Sequence, residues 1–195
     1  MKTAILVFLL AAAADKPLLD AARHNSFPDD VTRFGGHDAL LISALMFGTG
    51  WVAHDDRLRA AGLESAEAQE IASQLIVPVL KRAVGRARPL TNEGTYHFEP
   101  FSGGDSFPSS HATTAFAAAT AIAANYDNRI VPVVVYSIAT GVAIARVHDN
   151  AHFPSDVVAG AILGRVVARV VVRHHGWIVL PRRGGVMVVY RSAAR

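Results

Sequence analysis

The chain has 195 residues, 51% of them hydrophobic, with 19 Lys+Arg against 16 Asp+Glu and no cysteine. That length makes one domain with a sizeable core, and the lack of thiols excludes disulfides and thiolate metal sites. The mild basic excess is scattered or gathered in the single short stretch KRAVGRARP, with no aromatic stripe beside it, so it makes no case for nucleic acid.

The opening, MKTAILVFLLAAAADKP, carries a lone Lys2, an apolar run over 3–14 and small residues at Ala12–Ala14 ahead of Asp15. It reads as a signal peptide over 1–14. The remaining 15–195 then form one domain, exported to the periplasm or cell envelope. A buried helix or membrane anchor is the other reading, although the run is shorter than the ~20 residues of a span.

Residues 38–53 are apolar and helical in pattern, and the charged stretch HDDRLRAAG breaks that pattern. Ser65 is placed to cap a second helix over 65–87, acidic early and basic late as the helix dipole favours. Pro78 kinks it and Pro89 ends it. A polar loop over 90–107 follows. A third helix starts near Ser109 and fades at 125–128, a fourth runs over 130–146, and a fifth runs from Ser155 to Arg173. The tail WIVLPRRGGVMVVYR reads as two short strands around Gly184–Gly185. The expected fold is all-α: a compact bundle of about five core helices with a short C-terminal β-hairpin.

The longest uncharged stretch after the opening, Ile130–Ala145, is short for a membrane span. Arg165 and Arg169, four apart on one helix face, are costly in lipid. Helices buried within protein are therefore the first expectation, and a membrane-embedded bundle is the alternative.

Three stretches carry candidate chemistry. In KRAVGRARP, Lys81 and Arg88 are seven apart, nearly two helical turns, so on a continuous helix both leave one face. Two stacked cations suit an anion between them, although a solvated helix end has the same look. In FPSSH, Ser109 or Ser110 can cap the next helix, whose unpaired first-turn N–H groups suit an anion. His111 lies in that turn. In ARVHDNAHFPSD, Asp156 follows His152 by four, a spacing that lets the carboxylate accept from one ring nitrogen and leave the other as a nucleophile. Arg146 precedes them. Together these supply three cations, a helix N-terminus, an oriented histidine and a second histidine, as phosphoryl transfer requires. The carboxylates do not cluster in sequence as metal ligands, so the cations take the place of a metal.

These stretches resemble the type 2 phosphatidic acid phosphatase superfamily, which shares its core with vanadium haloperoxidases. The family pattern is K-x6-R-P, then P-S-G-H, then S-R-x5-H-x3-D. Lys81–Pro89 matches the first part. Pro108–His111 matches the second, with Ser110 in place of Gly. Arg146, His152 and Asp156 match the third, with Ala145 in place of Ser. The resemblance implies that His152 attacks phosphorus and forms a phosphohistidine, that Asp156 orients it, and that His111 protonates the leaving group. Lys81, Arg88 and Arg146 then hold the phosphate with backbone donors near Ser109 and Ser110, and no metal or other cofactor is needed. If the Gly position requires a positive φ, Ser110 is strained there.

The implied activity is hydrolysis of phosphomonoesters or diphosphates, with envelope lipid phosphates first, and vanadate as an inhibitor. The alternatives are a non-specific soluble acid phosphatase of the same fold, a vanadate-dependent haloperoxidase and a non-catalytic anion-binding scaffold.

Overall fold

The computed structural model describes residues 13–23, 36–174, 177–182 and 185–190. Among these the helices are α1 (Asp15–Arg23), α2 (Gly36–Val52), α3 (Asp56–Glu70), α4 (Val77–Val84), α5 (Ser110–Ala124), α6 (Ile130–His148) and α7 (Pro154–Arg173). Strands β1 (Trp177–Arg182) and β2 (Gly185–Tyr190) pair antiparallel, from Trp177 opposite Tyr190 to Arg182 opposite Gly185. The fold is the expected all-α bundle with a terminal hairpin. Residues 1–12, which hold most of the expected signal peptide, and residues 183–184 of the hairpin connection lie outside the described residues.

Helix α5 sits at the centre, packed on α7, α6 and α3, while α2 packs on α3. Its sequence, SHATTAFAAATAIAA, explains this position, because short side chains let neighbouring helices approach closely. The closest approach is to α7. A Cβ at Gly160 would lie 2.6 Å from the Ser109 carbonyl oxygen, and one at Gly164 would overlap that of Thr113. The interior is correspondingly small-sided, with Ala68, Ala72, Ala117, Ala121 and Ala168 in one cluster.

Many of the large apolar side chains are on the outside. Leu41, Leu45 and Trp51 of α2, Val133 and Ile138 of α6, and Val158, Ile162, Val166 and Val170 of α7 are all exposed. A water-soluble bundle keeps such residues inside and exposes only modest apolar patches. Helix α6 is long and apolar enough to cross a membrane, and only 28% of its apolar window is buried within the protein. These outer faces depart from the expectation of helices buried within protein.

The second helix also differs from expectation. It starts at Asp56 because Asp55 caps it, its Oδ1 accepting from Leu58 N–H at 3.0 Å. Ser65 is instead fully buried within α3, its Oγ 2.7 Å from Ser43 Oγ on α2. The irregularity expected at Pro78 takes the form of a π-helical turn, Ile71–Ile76, just before it. The helix then stops at Val84, where Gly85 turns left-handed at φ 58°. A side chain there would collide with the Glu99 carbonyl.

Candidate active site

His152 lies in the loop between α6 and α7 and is almost fully buried. Its Nδ1 is 2.7 Å from the Ser106 carbonyl oxygen. A carbonyl only accepts, so Nδ1 carries the proton and Nε2 keeps its lone pair. Burial pulls the His152 pKa down to about 3, and the positive charges of Lys81 and Arg88 push the same way, against the Ser106 bond. His111 adds to the lowering. The ring is therefore neutral at physiological pH, and four predicted site residues, His152, Lys81, Arg88 and His111, share one electrostatic neighbourhood.

Asp156 is not the direct orienter that its spacing suggests. Its Oδ2 is 4.0 Å from His152 Nδ1, beyond hydrogen-bond reach. That oxygen instead accepts from Ser106 Oγ at 2.6 Å and from Phe153 N–H at 2.9 Å, closing back on the start of its own helix. Asp156 thus acts one step removed. It fixes Ser106, whose carbonyl holds the imidazole.

Arg86 completes this support, and sequence reasoning missed it. Fully buried, it donates from Nη1 to Asp156 Oδ1 and Ser155 Oγ, each at 2.7 Å. From Nη2 it donates to Asp15 Oδ2 at 2.7 Å and to the Thr95 carbonyl at 2.6 Å. Asp15 in turn accepts from Ser155 N–H at 2.7 Å and Ser155 Oγ at 2.6 Å. One cation between two buried carboxylates ties α1, the 85–106 segment and α7 together. Breaking such a pair by removing one partner costs about 3–5 kcal/mol.

Lys81 and Arg88 do meet, but not along one helix face. Helix α4 ends between them, and the extended chain carries Arg88 round. Their meeting point is Asp105. Arg88 grips its carboxylate twice, from Nε and Nη2 at 2.6 Å, and Lys81 Nζ donates to its carbonyl. Burial pushes the Asp105 carboxyl up, yet the Arg88 hydrogen bonds and the charges of Arg88, Lys81 and His152 hold it below its ordinary value. The Asp105 carboxylate thus occupies Arg88, and its backbone carbonyl holds Lys81, the two cations that an incoming anion would use.

Ser109 caps α5. Its Oγ accepts from Ala112 N–H at 3.4 Å as the cap of α5, and its own N–H donates to the Asp156 carbonyl at 3.1 Å. Its backbone N–H is thus committed to the fold, and the donor it can offer is its hydroxyl. Ser110 is the first residue of α5 and takes no positive φ, so the strain anticipated for a non-glycine residue is absent. It lines a cavity with His111.

Arg146 sits in the last turn of α6. Helix α6 continues past it to His148, and its Nη2 lies 2.9 Å from Asp149 Oδ2. Its buried Nε and Nη2 nevertheless make no well-aligned hydrogen bond. Its carbonyl accepts from His152 N–H at 3.2 Å, which couples it to the loop that carries His152. Among the described residues, no group of three or more His, Asp or Glu comes together as metal ligands would.

This constellation follows the order of the motifs, and a family model described as the PAP2 superfamily matches residues 69–179. The chain belongs to the PAP2 superfamily. The chain is 42% identical over 97 residues to a lipid A 1-phosphatase of Rhizobium etli, covering 47% of this chain and 41% of that protein. A lipid A 1-phosphatase of Porphyromonas gingivalis is 37% identical over 89 residues, 45% of this chain and 18% of that one. The matched region thus spans well under half the length of these relatives. The crystal structure of Aquifex aeolicus LpxE superposes with a TM-score of 0.59 at 16% identity, over 82% of this chain and 95% of that one, and establishes a shared fold.

Proposed function

We propose that this PAP2 chain is a metal-independent phosphatase acting on lipid phosphates of the cell envelope through a phosphohistidine at His152. The observation that carries this reading is the neutral imidazole, Nδ1 proton on Ser106 and lone pair on Nε2, set among Lys81, Arg88 and His111. Nε2 attacks phosphorus as the bond to the leaving oxygen breaks, and His111 gives that oxygen its proton. Water then attacks the phosphohistidine, His111 takes its proton, and the N–P bond breaks to release inorganic phosphate. Lys81 and Arg88 neutralise the equatorial oxygens once Asp105 yields them, and Arg146 joins them when an anion gives its unbonded guanidinium atoms a partner.

Two further observations support a lipid substrate at a membrane. The relatives named above are lipid A 1-phosphatases. The exposed apolar faces of α2, α6 and α7 match a lipid environment, with small residues at the helix contacts.

The test is phosphate release from detergent-solubilised lipid phosphates in the presence of EDTA, with vanadate as a competitive inhibitor. Turnover that survives chelation and is lost in His152→Ala is the expected result. Loss with EDTA restored by a divalent cation would instead indicate a metal mechanism. Peroxide-dependent halide oxidation with added vanadate, and no phosphate release, would indicate a haloperoxidase.

A further inference from the structure

Helix α7 starts at a residue that cannot cap it. Its N-cap is Phe153, whose ring offers no acceptor, yet the first-turn N–H groups of a helix need acceptors. One comes from 140 positions away. Asp15, the first residue of α1, is fully buried. Its Oδ1 accepts from Ser155 N–H at 2.7 Å and its Oδ2 from Ser155 Oγ at 2.6 Å. A carboxylate placed there also meets the positive end of the α7 dipole. Leu19, one turn along α1, holds that helix down by packing among Ala112, Val147, Phe153 and Val157.

The same Oδ2 engages half of Arg86. That residue gives Nη2 to Asp15 and Nη1 to Asp156, each at 2.7 Å. Its guanidinium lies 4.2 Å from the Phe153 ring centroid and 5.1 Å from that of Phe98, which steadies it between the two carboxylates. An arginine left with a single carboxylate favours two parallel hydrogen bonds to it. This chain shows that grip at Arg88, whose Nε and Nη2 hold both oxygens of Asp105. Arg86 does not close on Asp156 in this way, because Asp15 engages its second nitrogen. Asp156 therefore keeps Oδ2 for Ser106 Oγ and Phe153 N–H. The Ser106 carbonyl in turn holds Nδ1 of His152. Four hydrogen bonds, none longer than 2.7 Å, run in line from α1 to the imidazole.

We infer that Asp15 is a positioning residue for His152: by dividing Arg86 between two carboxylates it keeps Asp156 Oδ2 on Ser106, and so keeps the imidazole proton on Nδ1. Without the Asp15 charge, Arg86 closes on both oxygens of Asp156. Ser106 Oγ then loses its acceptor, and the ring is released to the other tautomer. In that tautomer Nε2 carries the proton and has no lone pair with which to attack phosphorus. Asp15 itself touches neither the ring nor the substrate. The inference rests on the phosphatase reading for its kinetic consequence, though not for its hold on the ring.

The experiment uses the full chain in detergent, with its histidine ring nitrogens isotopically labelled. Proton–nitrogen correlation NMR separates a protonated ring nitrogen from a bare one, and loss of signals in His152→Gln assigns those of His152. The wild type should show Nδ1 protonated and Nε2 bare. Asp15→Asn keeps an oxygen for Ser155 N–H but removes the charge that engages Arg86, and it should turn His152 into a mixture of tautomers. On a detergent-solubilised lipid phosphate it should lower kcat about 10- to 100-fold, the range for a hydrogen-bonded partner behind a functional histidine, with KM within about twofold. Leu19→Ala is the second variant. It loosens α1 with every charge in place and should give the same changes to a smaller extent. Gly164→Ala, further along α7, controls for lost stability alone and should keep the wild-type spectrum. An unchanged tautomer in both α1 variants, wild-type kcat despite a shifted tautomer, or the same shift in Gly164→Ala would overturn the inference. If the wild type releases no phosphate yet Asp15→Asn shifts the tautomer, the phosphatase reading falls and the hold of Asp15 on His152 stands.

Discussion

A histidine nucleophile works only while its attacking nitrogen is unprotonated, and His152, the nucleophile proposed here, stays neutral chiefly through burial. The same shift sets a pH dependence of stability. The unfolded imidazole protonates near pH 6.5 and the folded one near 3. Between those values the unfolded state binds more protons, so stability falls as the pH is lowered through that window. Thermal unfolding from pH 7 to 4 should therefore show a shallower acid loss in His152→Gln than in the wild type. Asp105 gives a second prediction at this scale. Its carboxylate pairs with Arg88, so Asp105→Asn should tighten vanadate inhibition by roughly fivefold, about 1 kcal/mol of displaced ion pair. Inhibition constants measured at fixed ionic strength check it, and unchanged or weaker inhibition would show that Asp105 does not compete with the anion.

The elements show where sequence was legible. The His152–Asp156 spacing placed both residues at the α6–α7 junction, because four residues across a helix start is a local geometry. Local spacing could not reveal that Ser106, far away in sequence, stands between them. Arg86 was hidden for the same reason: its partner Asp15 is 71 positions away. The stop before it was readable, since Gly85 among the basic residues is a helix-ending signal. Taking Lys81 to Arg88 as one continuous face overlooked it. Helix α7 yields a prediction. Its Gly164 lets the backbone of α5 approach, and a methyl group there would overlap the Thr113 carbonyl. Gly164→Ala should destabilise the fold by about 1–3 kcal/mol, read as a lowered Tm.

Across the whole molecule, residue size is arranged opposite to that of a water-soluble bundle, with alanine and glycine at the helix contacts and leucine, isoleucine and valine outside. Composition alone could not disclose this arrangement, because 51% hydrophobic content says nothing about which faces carry it. The arginines Arg165 and Arg169, which argued against lipid, are exposed on the same helix as Val166 and Val170, and Arg165 lies over the Tyr136 ring at 5.6 Å. Long arginine stems can reach an interface from such positions. The protein should therefore stay with the membrane fraction through an alkaline carbonate wash and be released by detergent.

The central claim is the covalent step at His152. The direct measurement is a rapid-quench experiment with a lipid substrate labelled in its phosphate, run in EDTA and followed by peptide mapping under conditions that preserve phosphohistidine. The account predicts transient label on the peptide carrying His152, gone in His152→Ala together with turnover. Full turnover in His152→Ala, or label confined to another residue, would contradict it.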